Sequence, residues 1–152
     1  LNINSKTSDF DDLIDVNLKG PYLVCRQVSS IMKKNKYGRI VNISSIWGSI
    51  VRPGRSLYST SKFGIVGLTK TLAVELASNG ILVNAISPGF TMTELTKATN
   101  TKQELDDLKK IIPIKRLAKP IEIARLILFF TSDVNSYLTG QNIIIDGGYT
   151  NI

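Results

Sequence analysis

Residues 39–44, Arg-Ile-Val-Asn-Ile-Ser, form a short run rich in β-branched side chains that decides the fold of this chain. The run follows Gly38 and precedes a loop rich in Gly, Pro and Arg at 48–55. A run of this kind predicts a buried strand. The segments on both sides of it have helical periodicity, so we expect strands that alternate with helices.

The segment 9–36 before this strand predicts one long helix. Asp9 is a suitable N-cap residue, and apolar side chains recur near helical spacing as far as Met32. Pro21 lies in the interior, where it removes a backbone donor and predicts a kink or a break. We therefore expect a helix that packs beside the strand and is disturbed near its middle.

The residues after the strand continue the alternation. The predicted elements are a helix at 58–79, a strand at 81–87, a weak helix at about 102–112, a helix at 120–131 and a strand at 142–145. This order predicts an α/β fold with a parallel sheet covered on both faces.

We expect one domain over 1–152, with a lid at about 90–113. The strand at 39–44 would leave a long apolar edge without a partner, which a stable domain avoids. We therefore also expect further strands before Leu1 in the whole protein.

The composition excludes several kinds of chemistry. The 152 residues include no histidine, so no Ser-His-Asp triad and no histidine metal site can form within the chain. The single cysteine, Cys25, excludes an internal disulfide and a thiolate metal cluster. We expect no metal, and an acid or base that is Tyr, Lys, Asp or Glu.

The net charge of +7 comes from 19 basic and 12 acidic residues, and the basic ones are scattered rather than arranged in a stripe. Nucleic-acid binding is therefore a weak interpretation. No apolar run approaches the roughly 18 residues that span a bilayer. We expect a cytoplasmic protein whose partners include neither a nucleic acid nor a membrane.

Tyr58 and Lys62 lie four residues apart at the start of the predicted helix 58–79, so both side chains project from one face. A tyrosine hydroxyl is a poor base at neutral pH, but a nearby ammonium group and the positive end of a helix stabilise the phenolate. Tyr58 could then give a proton to a carbonyl oxygen and recover it in the reverse reaction. This four-residue spacing is common in proteins, so the evidence for a catalytic role of the pair comes from the neighbouring residues.

Ser45 follows the strand at 39–44, and Pro88-Gly89 follows the strand at 81–87. The carboxyl ends of parallel strands meet at one edge of a sheet, where ligands bind in open α/β folds. We therefore expect these residues and the Tyr58–Lys62 pair to converge on one crevice.

Together these motifs resemble the C-terminal portion of a short-chain dehydrogenase/reductase, with 3-oxoacyl-carrier-protein reductases as the most similar members. The matching segments cover essentially the whole chain: Asp15–Gly20, Asn42–Gly48, Tyr58–Lys62, Val83–Gly89 and Leu138–Gly148. The resemblance implies a Rossmann-like doubly wound parallel sheet. It also implies that the glycine-rich β-α-β half of that fold is absent here, because no Gly-x-x-x-Gly-x-Gly occurs.

The resemblance further implies a role for each matching residue. Tyr58 would be the general acid/base, Lys62 would hold the nicotinamide ribose, and Ser45 would bind the substrate carbonyl. Asn17 would anchor a water that links Lys62 to solvent. The implied cofactor is NADP or NAD, and its expected contacts are Tyr58, Lys62, Pro88, Gly89, Thr91 and Thr93.

Three interpretations of the function stay open at this point. Arg52 and Arg55, after Ser45, suit the carrier-linked substrate of a 3-oxoacyl thioester reductase. A sugar or polyol dehydrogenase shares every motif quoted. The third interpretation is an inactive remnant that acts through helices 9–36 and 58–79, which in the family pack across the axis of a homodimer or homotetramer.

Overall fold

The computed structural model describes residues 6–152 and contains an open sheet of three parallel strands. The strands are β1 (Gly38–Ile43), β2 (Ile81–Pro88) and β3 (Asn142–Ile145), in the order β1-β2-β3. The register pairs Ile43 with Ile86 and Pro88 with Ile145, so all three strands end near one edge. The parallel α/β architecture predicted from the sequence is confirmed.

Helices pack against this sheet. Within the described residues the α-helices are α1 (Thr7–Ile14), α2 (Gly20–Asn35), α3 (Ser56–Leu76), α4 (Glu94–Thr99), α5 (Lys102–Ile111) and α6 (Pro120–Thr131). The bounds of α6 agree with the prediction. α3 begins two residues earlier than expected, and its last turn, Ala77–Asn79, is a 3-10 helix that ends at Gly80 with a φ of +73°.

The long helical segment predicted over 9–36, with a disturbance near its middle, is present over 7–35, but it is not one uninterrupted α-helix. A π-helical segment, Asp15–Lys19, joins α1 to α2, and Pro21 is the second residue of α2. The wider π turn accommodates the proline ring and its missing N–H, so the disturbance lies before Pro21 rather than at it. The N-cap of α1 is Lys6 rather than Asp9, and the Asp9 carboxylate accepts a hydrogen bond from the Lys6 N–H at 2.8 Å.

The segment at about 90–113, which was predicted to be a lid, contains two helices where the sequence predicted one. The missed helix, α4, is six residues long, and it begins where the Thr93 hydroxyl accepts a hydrogen bond from the Thr96 N–H at 3.1 Å. α5 begins at a capping box formed by Thr101 and Glu104. A short polar helix such as α4 is specified by its cap rather than by an apolar face, which explains why periodicity did not reveal it.

The core lies between the sheet and the pair α2 and α3. Its buried apolar members are Cys25, Ile40, Ala73, Leu76, Ile81 and Val83. Burial raises the pKa of the Cys25 thiol, which fits a packing role. Asn84 follows Val83 in β2, so its side chain points from the opposite face of the sheet. The segment after α6 forms hydrogen bonds with this side chain.

No helix within residues 6–152 combines the length and the apolar character needed to cross a membrane.

Candidate active site

Ser45 lies directly after β1, at the carboxyl edge of the sheet. Its extended backbone leads into a buried 3-10 turn, Ile46–Gly48. The Ser45 Oγ accepts a hydrogen bond from the Trp47 N–H at 3.2 Å. The Ser45 hydroxyl hydrogen is then available to donate to a ligand oxygen.

The turn after Ser45 is held tightly against α3. The Ser44 hydroxyl donates to the carbonyl oxygen of Lys62 at 2.9 Å. A Cβ on Gly48 would lie 2.8 Å from that same oxygen, closer than real Cβ atoms come to a neighbour. Glycine at position 48 therefore permits the close approach that places Ser45 beside the first turns of α3.

Tyr58 and Lys62 project from one side of α3, as the four-residue spacing predicts. The Lys62 Nζ lies 5.6 Å from the centroid of the Tyr58 ring. The same ammonium group donates to the carbonyl oxygen of Ile43, the last residue of β1, at 3.1 Å. Burial lowers the pKa of Lys62, because the charged form is partly withdrawn from water.

The end of β2 forms a second wall. The Gly89 N–H donates to the carbonyl oxygen of Ile145 at 2.9 Å, and a Cβ on Gly89 would lie 2.7 Å from the Cβ of Asp146. Glycine is therefore required where the end of β2 passes β3. Thr91 then pairs with Ala118 in an isolated parallel bridge, which joins the residues after β2 to those before α6.

These parts border one cavity of about 450 Å³. Seven of the eight predicted site residues line it: Ser45, Tyr58, Lys62, Pro88, Gly89, Thr91 and Thr93. These seven residues therefore converge on one crevice at the carboxyl edge of the sheet, as predicted.

A further wall of this cavity was missed in the sequence. It is apolar and comes from α6, through Pro120, Ile123, Ala124 and Ile127. The signal was present, because these positions follow the i, i+3, i+4, i+7 spacing of one helix face. Nothing in the sequence showed that the face borders a site rather than the core.

Asn17 lines a separate groove of about 540 Å³ on the outer side of β1, and Lys62 lines this groove as well. The Asn17 amide donates to the Ser61 Oγ at 3.3 Å, and the Ser61 hydroxyl donates to the carbonyl oxygen of Tyr58 at 2.8 Å. Lys62 thus lies between the cavity that Tyr58 lines and the groove that Asn17 lines. The direct partner of Asn17 is Ser61 rather than Lys62.

Among the described residues, no group of three or more Asp, Glu, His or Cys side chains is arranged to hold a metal ion. The polar side chains that border the cavity are the Tyr58 phenol, the Lys62 ammonium group and the hydroxyls of Ser44, Ser45, Thr91 and Thr93. A parallel α/β sheet with such a crevice at its carboxyl edge is the architecture of Rossmann-like dinucleotide-binding proteins.

Comparison with known proteins agrees with this architecture. The family model described as enoyl-(acyl carrier protein) reductase matches residues 2–150. The chain is 43% identical over 148 residues to the 3-oxoacyl-[acyl-carrier-protein] reductase FabG of Rickettsia felis. This match covers 97% of this chain and 61% of that protein. The chain belongs to the short-chain dehydrogenase/reductase family.

Solved structures give the same result. ElxO with NADP bound is 36% identical, with a TM-score of 0.94, and the match covers 100% of this chain and 62% of that one. A gluconate 5-dehydrogenase from Burkholderia cenocepacia, in complex with NADP and tartrate, is 30% identical with a TM-score of 0.92, over 98% of this chain and 59% of the other. The chain thus spans between 59% and 62% of the length of these relatives.

Proposed function

We propose that this chain supplies the proton-transfer half of an NAD(P)H-dependent carbonyl reductase. The observation that carries the proposal is that Ser45, Tyr58 and Lys62 border one cavity at the carboxyl edge of the sheet. A hydroxyl donor, a phenol and an ammonium group are the parts that polarise a carbonyl, protonate its oxygen and stabilise the phenolate left behind. Membership of a family of oxidoreductases supports the same conclusion.

The cavity residues fit the nicotinamide end of the cofactor. The Lys62 ammonium has three N–H donors, and the described residues engage one of them, at Ile43. The other two would bind the ribose hydroxyls, while Pro88, Gly89, Thr91 and Thr93 line the same cavity and would contact the rest of the nicotinamide end. When bound, the cofactor supplies a hydride to the carbonyl carbon of the substrate. Similarity to ElxO with NADP bound favours NADP over NAD.

The proposed mechanism assigns one step to each side chain. The Ser45 hydroxyl donates to the substrate carbonyl oxygen and fixes its position. Tyr58 gives its proton to that oxygen, so the product is an alcohol and the phenolate remains beside the Lys62 ammonium. A proton returns to Tyr58 by way of Lys62, which also borders the groove that Asn17 lines. Asn17 would hold a water in that groove.

The proposed substrates are 3-oxoacyl thioesters, as for the FabG relative. Arg52 and Arg55 lie on the exposed loop between Ser45 and Tyr58. Their guanidinium groups suit the phosphate of a pantetheine arm or an acidic carrier protein. A sugar or polyol dehydrogenase is the second candidate, and similarity to a gluconate 5-dehydrogenase favours it.

A substrate panel separates the two candidates. The whole protein is assayed with 3-oxoacyl thioesters and with sugar acids and polyols, each with NADPH and NADH or the oxidised forms. We expect the highest kcat/KM for a 3-oxoacyl thioester with NADPH. A preference for gluconate, another sugar acid or a polyol would instead support the sugar or polyol dehydrogenase.

We also propose that the chain associates as a homodimer or homotetramer through the α1–α2 region and α3. α3 buries one side against the sheet but leaves Phe63 and Val74 exposed on the other, and α2 leaves Val24 and Ile31 exposed. A helix that is apolar on two sides is typical of one buried between two neighbours.

The inactive-remnant interpretation requires association of these helices without cofactor binding. Measurable affinity of the 152-residue chain for NADPH would contradict the remnant. No binding by this chain, together with activity of the whole protein, would identify the chain as a fragment of an ordinary enzyme.

A further inference from the structure

Asn142, the first residue of β3, joins two parts of the chain that are far apart in sequence. Its Oδ1 accepts a hydrogen bond from the Ser87 hydroxyl at 2.7 Å, and its Nδ2 donates to the Ser49 Oγ at 3.0 Å. Ser87 is fully buried near the end of β2, and Ser49 follows the turn that begins after Ser45. The carboxamide of Asn142 therefore ties the far strand of the sheet to the Ser45 loop.

Both partners of the amide are serine hydroxyls, which can donate or accept, whereas the carboxamide oxygen only accepts and the NH₂ group only donates. The Ser87 hydroxyl donates to the oxygen and the NH₂ group donates to Ser49, so the carboxamide joins the two serines with both of its polar atoms bonded. Leucine at position 142 would have a similar size but would leave both serines without this partner.

The Ser45 loop is thus restrained from two directions. On one side, Ser44 and Gly48 contact the carbonyl oxygen of Lys62 on α3. On the other side, Asn142 holds Ser49 from β3. Ser45 lies between the two attachments, so its distance from Tyr58 depends on both.

We propose that Asn142 is a positioning residue for Ser45, acting through Ser49. This inference rests on the proposed function, because Ser45 needs a defined position only if it binds a substrate carbonyl. Misplacement of such a donor by about 1 Å can cost up to about 100-fold in rate.

The anchoring is tested by fluorescence, without cofactor or substrate. The chain contains one tryptophan, Trp47, and it lies in the turn between Ser45 and Ser49. We expect Ser49→Ala and Asn142→Leu each to raise the acrylamide quenching constant of Trp47 about twofold, and the double variant to add nothing, because both remove the same contact. Ser49→Thr keeps the hydroxyl and should match the unsubstituted chain. Ser78→Ala is the control, since the Ser78 side chain is exposed and makes no hydrogen bond among residues 6–152.

The positioning role is tested by kinetics in the whole protein. We expect Ser49→Ala and Asn142→Leu to lower kcat about tenfold, with an unchanged KM for NADPH, and to cause no further loss in a Ser45→Ala background. Unchanged Trp47 quenching would overturn the anchoring. Altered quenching with an unchanged kcat would overturn the positioning role. If the unsubstituted protein reduces no carbonyl compound, the proposed function fails and the positioning role fails with it, whereas the quenching result still decides the anchoring.

Discussion

The Lys62 ammonium group donates a hydrogen bond to the carbonyl oxygen of Ile43 across 3.1 Å. Ile43 ends β1 two residues before Ser45, and Lys62 lies one turn after Tyr58 on α3. This single contact therefore joins the strand that carries the serine to the helix that carries the tyrosine. It also holds the ammonium group at the border between the cavity and the groove that Asn17 lines.

The first prediction concerns the cofactor contact of Lys62. A hydrogen bond from a charged donor contributes about 1.5–3 kcal/mol, so Lys62→Met should weaken NADPH binding by roughly 10- to 100-fold. Fluorescence titration of the whole protein measures this affinity. Lys70→Met is the matched control, because Lys70 lies exposed on the same helix. Equal affinities for the two variants would contradict the assignment of Lys62.

The same residue makes stability depend on pH. Burial lowers the folded-state pKa of Lys62 below the ordinary value of 10.5, so the unfolded chain binds this proton more tightly. The free energy of unfolding should therefore rise as pH increases from the folded-state pKa towards 10.5. Urea denaturation at several pH values checks this, and Lys62→Met should lose the rise that Lys70→Met retains. The same slope in both variants would rule out Lys62 as its source.

The contact of Gly48 with α3 gives a third prediction. A Cβ at this position would clash with the Ser44 Oγ and would lie 2.8 Å from the carbonyl oxygen of Lys62. Gly48→Ala should therefore lower the free energy of unfolding by about 1–3 kcal/mol, the usual cost of overpacking. Chemical denaturation measures the change. An unaltered midpoint would show that the turn accommodates the added methyl group with little loss of stability.

The proposed substrate class is tested at the exposed arginines. Arg52→Ala combined with Arg55→Ala should raise the KM for a carrier-linked 3-oxoacyl substrate about tenfold, since two charge-charge contacts are lost. The KM for a short thioester without phosphate should not change. Arg125→Ala is the control, because Arg125 is exposed on α6. An equal KM for the carrier-linked substrate in both variants would remove the arginines from substrate recognition.

The prediction for assembly concerns the outer face of α3. Val74 is 82% exposed there, and a carboxylate in its place would be buried without a partner in a dimer. Val74→Glu should weaken dimerisation by roughly 100-fold, as measured by sedimentation. Val51→Glu introduces the same charge at a loop position that is 77% exposed, and it should leave the dimer intact. A dimer that survives Val74→Glu would exclude this face.

The sequence was sufficient to predict the strands and the crevice. β-branched runs that follow Gly38, Gly80 and Gly140 predicted β1 to β3, and the carboxyl ends of parallel strands share an edge by geometry. The sequence alone therefore predicts that Ser45, Tyr58 and Gly89 lie at one site.

Other features depend on contacts that periodicity does not encode. The π-helical turn at Asp15–Lys19 keeps the chain helical past Pro21, where the sequence indicated a kink or break. The bridge from Asn142 to Ser49 joins positions 93 residues apart, and a polar residue at the start of a strand gives no sign of such a partner. The spacing of apolar residues on α6 likewise does not distinguish a helix face that lines a cavity from one that packs in the core.

The most direct test of the central claim is the turnover of Tyr58→Phe in the whole protein. A positioned proton donor contributes about 100- to 10,000-fold, so this variant should lose at least roughly 100-fold in kcat for carbonyl reduction. Tyr137→Phe, at a side chain that is 92% exposed, is the control and should retain full turnover. If Tyr58→Phe keeps near-normal turnover, Tyr58 is not the general acid/base and the proposed mechanism is wrong.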